Sequence, residues 1–408
     1  MKRQSTPKRR AQPGARVAGP ALQRLAFLAI PIACCASPAT GRADGAPPDV
    51  VVRGEVSAYA DNDYTEVLTP AVTGSLESPT GGWGLTASFL VDVVSSASAD
   101  IVASASPRWT ELRYAPALSV HHPIADADVA VHGALSHEPD YLSLSLGGSV
   151  AMDILRKSVT PSIGYTYSHD TVGRAETPFD VFSRVVQHHA IDLSASFVID
   201  KATMVIGSGT LVVESGDGSK PYRAIPMFDP AAVGRAYAGM GAAAVDRLRT
   251  DDRPLEQLPT ERERWALEGR LLHRFARSTL RLGERLYTDS WGLWATTTDA
   301  RWLIDVGPSV RLGPHLRLHE QTGVDFWRLA YTAVPGPDGV VLPALRTGDR
   351  ELGPLVAATT GFGFGLQLTR GLRATLEGDT VFTQFLDHLY ILQRAGVLTT
   401  ATLEASIE

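Results

Sequence analysis

Residues Thr260–Phe275 read TERERWALEGRLLHRF, and taken two at a time they separate into two faces. The odd positions from Trp265 are Trp265, Leu267, Gly269, Leu271, His273 and Phe275; the even ones are Arg264, Ala266, Glu268, Arg270, Leu272 and Arg274. After a turn at Ala276–Arg277–Ser278, Leu280, Leu282 and Leu286 alternate with Arg281, Gly283, Arg285 and Tyr287. Then Trp294, Thr296, Thr298, Ala300, Trp302, Ile304 and Val306 alternate with Asp299, Arg301, Leu303 and Asp305. Finally Leu316, Leu318, Val324 and Phe326 alternate with Arg317, His319, Gln321 and Asp325. A period of two is the period of a β-strand, whose side chains point alternately to opposite faces. These runs exceed the usual soluble strand and reach the roughly 9–11 residues that cross a bilayer at a tilt. One face is apolar and the other carries full charges of both signs, as in a barrel with lipid outside and water inside. The soluble alternative is an amphipathic sandwich.

Working outward, the same pattern predicts about sixteen strands between Val50 and Ile407. Their connections differ in a regular way. Pro79–Gly82, Pro123–Ile124, Lys201–Ala202, Ala276–Arg277, Gly313–Pro314 and Arg370–Gly371 are short. Ser96–Pro107, Asp170–Gln187, Ser215–Pro259 and Thr332–Pro354 are long. Short turns at one end and long loops at the other describe a transmembrane antiparallel barrel with periplasmic turns and external loops. One helix is expected, within Asp229–Arg249. The seven tryptophans mostly fall near strand ends or at lipid-facing positions and are expected to form interfacial girdles.

The N-terminus reads as an export signal. Residues 1–43 hold eight basic side chains (Lys2, Arg3, Lys8, Arg9, Arg10, Arg16, Arg24 and Arg42) and no acid. An apolar run from Leu25 to Ala36 follows, and Gly41–Arg42–Ala43 fits a cleavage site. A lipidated Cys34 or Cys35 is the alternative, which Pro31–Ile32–Ala33 fits poorly. The expected organisation is a signal peptide at 1–43 and one barrel at 44–408 carrying a long loop at 215–259. Without the leader, 30 basic residues face 44 acidic ones and no cysteine remains, so disulfide and thiol chemistry are excluded and nucleic acid is a poor partner. No apolar run after the leader is long enough for a membrane helix.

Several stretches carry a resemblance: Val91–Pro107 followed by Glu111–Leu112–Arg113, then Lys220–Pro221–Tyr222–Arg223, Tyr287–Thr288–Asp289–Ser290–Trp291–Gly292, and Glu320–Gln321 ahead of Asp325–Phe326. Together they resemble an uncharacterised family of exported Gram-negative proteins, a domain of unknown function. The resemblance runs from about residue 50 to the C-terminus and implies an outer-membrane β-barrel, with no activity attached. The chain departs from many such barrels by ending in Ile407–Glu408 rather than an aromatic residue that the assembly machinery reads.

The chemistry-bearing residues are the charges expected in the lumen: Arg264, Glu268, Arg270, Arg274, Arg281, Arg285, Asp299, Arg301, Asp305, Arg317 and Asp325. An arginine-rich pore lining would pass small polar solutes and favour anions; an ion-pair ladder that only stiffens or fills the barrel is the alternative. The loop with Asp92, Ser95, Asp100 and Pro107 is expected to be external, with a constriction or docking role as the alternative. Adjacent pairs His121–His122 and His188–His189 point to opposite faces and no metal-ligand spacing occurs, so neither metal nor cofactor is expected. His132, Ser136 and His137 raise a barrel hydrolase without an oriented acid. The expected function is a channel of porin type. The alternatives are a non-conducting scaffold for an exported partner and, third, a hydrolase. The expected partners are outer-membrane lipid and the barrel assembly machinery.

Overall fold

The computed structural model describes residues 46–96, 109–337 and 339–407. Sixteen long strands form one closed antiparallel barrel. They are β1 (Asp49–Asp61), β2 (Thr65–Glu77), β3 (Gly84–Ser96), β4 (Trp109–Ile124), β5 (Ala127–Glu138), β6 (Tyr141–Met152), β7 (Val159–Val172), β8 (Arg184–Val198) and β9 (Thr203–Gly216). After two-residue β10 (Met227–Phe228) and helix α1 (Ala242–Leu248) come β11 (Glu261–Arg274), β12 (Ser278–Asp289), β13 (Trp294–Asp305) and β14 (Val310–Gln321). Short β15 (Tyr331–Thr332), β16 (Val334–Gly336) and β17 (Gly339–Val341) precede β18 (Leu355–Thr369), β19 (Leu372–Phe385) and β20 (Gln393–Ile407). Each barrel strand pairs with its neighbour in the chain, and β1 closes on β20 from Val50↔Ile407 to Asp61↔Gly396. The last strand is therefore a full member of the wall despite its non-aromatic end.

Register shows why alternation decides the fold. Leu267 sits opposite Leu286 on one side and Gly209 on the other, while Glu268 faces Arg285 and Ser208. Here an apolar residue meets uncharged neighbours on the outside while charges meet on the inside, and a one-residue slip would turn those charges outward. Large apolar side chains stay exposed on the outer face of the strands: Leu267 at 65%, Leu146 at 62% and Leu403 at 51%. A band of this extent running round the ring belongs against lipid. Closure leaves the barrel no unpaired edge, as hydrocarbon requires of a spanning sheet.

One end of the barrel carries the short connections at 78–83, 125–126, 153–158, 199–202, 275–277, 306–309 and 370–371. The other end carries the segments 173–183, 217–260, 322–354 and 386–392, together with shorter links at 62–64, 139–140 and 290–293. Most of the buried apolar side chains lie at this loop end. Ile225, Met227, Tyr331 and Ala333 form one cluster, Phe228, Val245, Leu389 and Tyr390 a second, and Leu258, Trp291, Leu293, Val324 and Trp327 a third. The parallel β10–β15 ladder joins the two longest loops, so they form one cap.

Three sequence expectations change here. The helix expected over Asp229–Arg249 is a short 3-10 turn at Val233–Arg235 and then α1, because Gly239 and Gly241 hold left-handed backbone between them. Trp265, Trp294 and Trp302 face outward, but Trp291 and Trp327 are core residues of the cap. The last strand of the deciding stretch stops at Gln321, since Thr322–Ala330 leaves the wall to pack the cap.

Candidate functional site: the lumen wall

The charged faces of β11 to β14 line the inside of the barrel. The contact of Arg301 with Glu377 (3.4 Å), reaching from β13 to β19, bridges non-neighbouring strands across the concave side of the wall. Nine arginines project from this arc: Arg262, Arg264, Arg270, Arg274, Arg281, Arg285, Arg301, Arg311 and Arg317. The carboxylates among them are Glu268, Asp289, Asp299 and Asp305. Ten of the eleven residues expected in the lumen are thus on its wall. Asp325 is not: it lies past the end of β14, inside the cap, where its carboxylate packs against Gly292.

Several of these charges are satisfied in place. Asp305 accepts from Arg274 (2.7 Å) and Arg311 (2.8 Å) near the turn end. Arg264 meets Glu214 on β9, and Arg270 meets Glu268 two residues away. His315 is held between Asp299 (2.9 Å) and Asp379 (3.0 Å), and His188 between Asp170 and Glu214 (3.0 Å each). These histidines join lumen carboxylates across strands. The sequence reading treated the His188–His189 pair only as failed metal ligands.

Three arginines differ. Arg281, Arg285 and Arg317 are exposed and make no hydrogen bond or ion pair among the described residues. With Arg270, Arg301, Glu268 and Asp299 they line a cavity of about 430 Å³ on the lumen wall, midway along the strands. The side chain of Arg270 is 56% exposed, so the wall is solvated rather than packed into a filled core. Sixteen-stranded barrels are wide enough for such a channel. Unpaired guanidiniums present planar forks of donors suited to carboxylate or phosphate.

The wall across the lumen has the opposite sign. β2 to β5 project Glu77, Asp92, Glu111, Asp128 and Glu138 inward, with Arg113 alone against them. Asp92 accepts from Thr69 (2.5 Å) and lies 3.5 Å from Arg113. Ser95 is the next-to-last residue of the strand that carries Asp92, while Asp100 and Pro107 lie outside the described residues. Near the loop end, ligand oxygens of Glu111, Glu138 and Asp140 all lie within 4.8 Å of one another, a grouping the search for histidine spacings passed over. Candidate hydrolase residues do not converge. His132 bonds Thr166 and Ser136 accepts from Arg113, while His137 lies on the outer face opposite Tyr114.

The cap is fastened over this lumen by the residues that carry the family resemblance. Arg223 of Lys220–Pro221–Tyr222–Arg223 pairs with Asp349 and with buried Glu256 (3.4 Å), which also accepts from Thr347 (2.6 Å). Burial alone would raise the Asp349 carboxyl, but the Arg223 charge beside it holds the group below its ordinary range. Burial pushes the Tyr222 hydroxyl up to about 12. In Asp289–Ser290–Trp291–Gly292, the Asp289 carboxylate accepts from the backbone N–H groups of Trp291 and Leu293 (3.0 Å each), and Arg262 stacks over Trp291 at 4.1 Å. Gly292 is obligatory there: its φ is +85°, and a Cβ would stand 2.2 Å from Asp325 Oδ1. Gln321 donates to the carbonyls of Glu351 (2.9 Å) and Gly353 (2.8 Å), and Arg350 bonds Asp63 (2.6 Å), tying the cap to the β1–β2 link.

One outward residue was missed. Glu284, midway along β12, faces the apolar side and accepts from Thr296 (2.5 Å) and Thr298 (2.6 Å) of β13. It interrupts the run Leu280, Leu282, Leu286, and strict alternation exposes it.

A family model described as "Protein of unknown function (DUF3570)" matches residues 65–406. No curated protein matches at a significant level. Among solved structures, the siderophore receptor PirA from Acinetobacter baumannii is similar at 10% identity and TM-score 0.43, over 84% of this chain and 54% of that one. CdiB from Acinetobacter baumannii is similar at 10% identity and TM-score 0.46, over 88% and 60%. OccK7 (OpdD) from Pseudomonas aeruginosa is similar at 10% identity and TM-score 0.42, over 90% and 99%. The match spans little more than half the length of the first two.

Proposed function

We propose that this chain, a member of the DUF3570 family, is an outer-membrane channel for small polar solutes whose lumen engages anionic groups. The observation that carries this reading is the trio Arg281, Arg285 and Arg317, exposed on the lumen wall without carboxylate partners among the described residues. A charge set that served only to stiffen the wall would be paired throughout, as Asp305 is with Arg274 and Arg311. Under this reading residues 1–43 act as a cleaved Sec-type signal. The barrel assembly machinery then inserts the sheet with its capped end outside. Proteoliposomes containing the folded protein are expected to take up neutral arabinose faster than protein-free vesicles. Uptake no faster than in protein-free vesicles would contradict the channel.

One observation favours the scaffold as second reading. The cap has a core of its own and is anchored to the barrel mouth at Asp63. In that case the cap surface, not the lumen, would bind an exported partner, and the folded barrel would not conduct.

A further inference from the structure

We infer that the lumen is electrically polarised across its width and is built for solutes that carry an anionic and a cationic group on one small molecule. The inference rests on the channel reading above and names its solute class.

Position in the ring makes the case. β11 to β14 are the tenth to thirteenth of sixteen strands, and β2 to β5 are the second to fifth. The two arcs are eight strands apart, so they stand diametrically opposite. The first carries nine inward arginines against four carboxylates, and the second carries five inward carboxylates against one arginine. Between the arcs the charges are mixed and joined locally, as Arg53 is with Glu404 and His188 with Asp170 and Glu214. The arginine excess visible in the deciding stretch therefore belongs to one wall, not to the lumen as a whole. A lumen that simply admitted anions would be basic all round. Here a lone anion attracted to the arginines also meets the repulsion of the facing wall, and a lone cation meets the converse. A molecule with both charges, separated along its length, gains from each wall when it lies across the lumen. Opposed walls of fixed charge with a low-dielectric surround focus such a field into the water between them. The two sides also differ in availability: Arg281, Arg285 and Arg317 are unpaired, whereas Glu77 and Asp128 share His121 and Asp92 and Glu138 share Arg113. The anionic end of the solute is thus held more firmly than its cationic end.

The test is flux of labelled probes into proteoliposomes at pH 7, with folding of every variant checked by heat-modifiable mobility. The probes are glycylglycine as zwitterion, N-acetylglycylglycine as anion, glycylglycinamide as cation and arabinose as neutral reference. Wild-type protein is expected to pass glycylglycine about threefold or more faster than either singly charged analogue. R281Q/R285Q/R317Q is expected to abolish that preference and favour the cation. E111Q/E138Q is expected to abolish it and favour the anion. Arabinose entry with glycylglycine no faster than the acetylated anion would overturn the polarised lumen and leave a channel. Unchanged preference in E111Q/E138Q would also overturn it. Exclusion of arabinose and of all three peptide probes by folded protein would overturn the channel itself.

Discussion

Leu267 and Glu268 are adjacent in β11, about midway along the strand, and their side chains point to lipid and to the lumen respectively. Placing arginine at each in turn tests the inside–outside assignment with the same added side chain. At Leu267 the arginine enters the apolar band, where the residue it replaces is 65% exposed between Leu286 and Gly209. Arginine at the midplane of a barrel's lipid face costs about 2–4 kcal/mol. At Glu268 the change removes the contact with Arg270, whose side chain is 56% exposed, and sets a cation opposite Arg285. Solvent screening limits the lost pair to about 0.2–1 kcal/mol, with like-charge repulsion of similar size. At the middle of these ranges Leu267→Arg is therefore expected to exceed Glu268→Arg by about 2 kcal/mol, roughly thirtyfold in the folding equilibrium. Reversible guanidinium unfolding in lipid vesicles, followed by tryptophan emission, reads both. Equal losses, or a larger loss at Glu268, would refute the assignment.

Three further outcomes follow from the cap and the outer face. Arg350→Met leaves Asp63 buried without its guanidinium and is expected to weaken the cap locally by about 3–5 kcal/mol, seen as faster hydrogen exchange at 322–354 with barrel strands still protected. The lowered Asp349 carboxyl contributes stability that is complete above its unfolded value, near 3.9, and lost as pH falls through the lower folded value. Tyr222, raised to about 12, contributes stability present below its unfolded value near 10 and lost as pH rises through 12. Proteolysis of the cap is therefore expected to accelerate below about pH 4 and above about pH 10 while the barrel stays intact; a cap equally resistant at pH 3 and pH 7 would count against the Asp349 part. Glu284→Gln keeps partners for Thr296 and Thr298 but removes a charge from the lipid face, and is expected to raise unfolding stability by about 1–2 kcal/mol; a loss of that size would indicate that the carboxylate is required.

Most of the wall was legible in the sequence because one physical rule governs it. Lipid on one side and water on the other impose a period of two on every strand, and Trp265 to Arg274 obey it almost residue by residue. The same alternation gives about sixteen strands, and the long–short connection pattern points to a transmembrane barrel. The cap was not legible for the opposite reason. Its residues answer to no period, and its buried clusters join Ile225 to Tyr331 and Phe228 to Leu389, residues far apart in the chain that meet only after the barrel brings three loops together. Hence Val324, Asp325 and Phe326 continue the alternation only by coincidence, beyond the end of the strand at Gln321. Trp291 and Trp327, beside strand ends as girdle residues are, proved to be core. Alternation alone puts the charges of β11 to β14 on one face without saying what stands opposite them. Which wall they face depends on closure, and the acidic arc from Glu77 to Glu138 becomes their counterpart only when strands eight apart are set opposite each other.

Single-channel recording in a planar bilayer, with protein first shown to be folded, tests the central claim most directly. Stable conductance steps are predicted, with selectivity shifting toward cations when Arg281, Arg285 and Arg317 are all replaced by glutamine. Folded protein that gives no steps at any applied voltage would contradict a conducting lumen and assign the molecule's work to its cap.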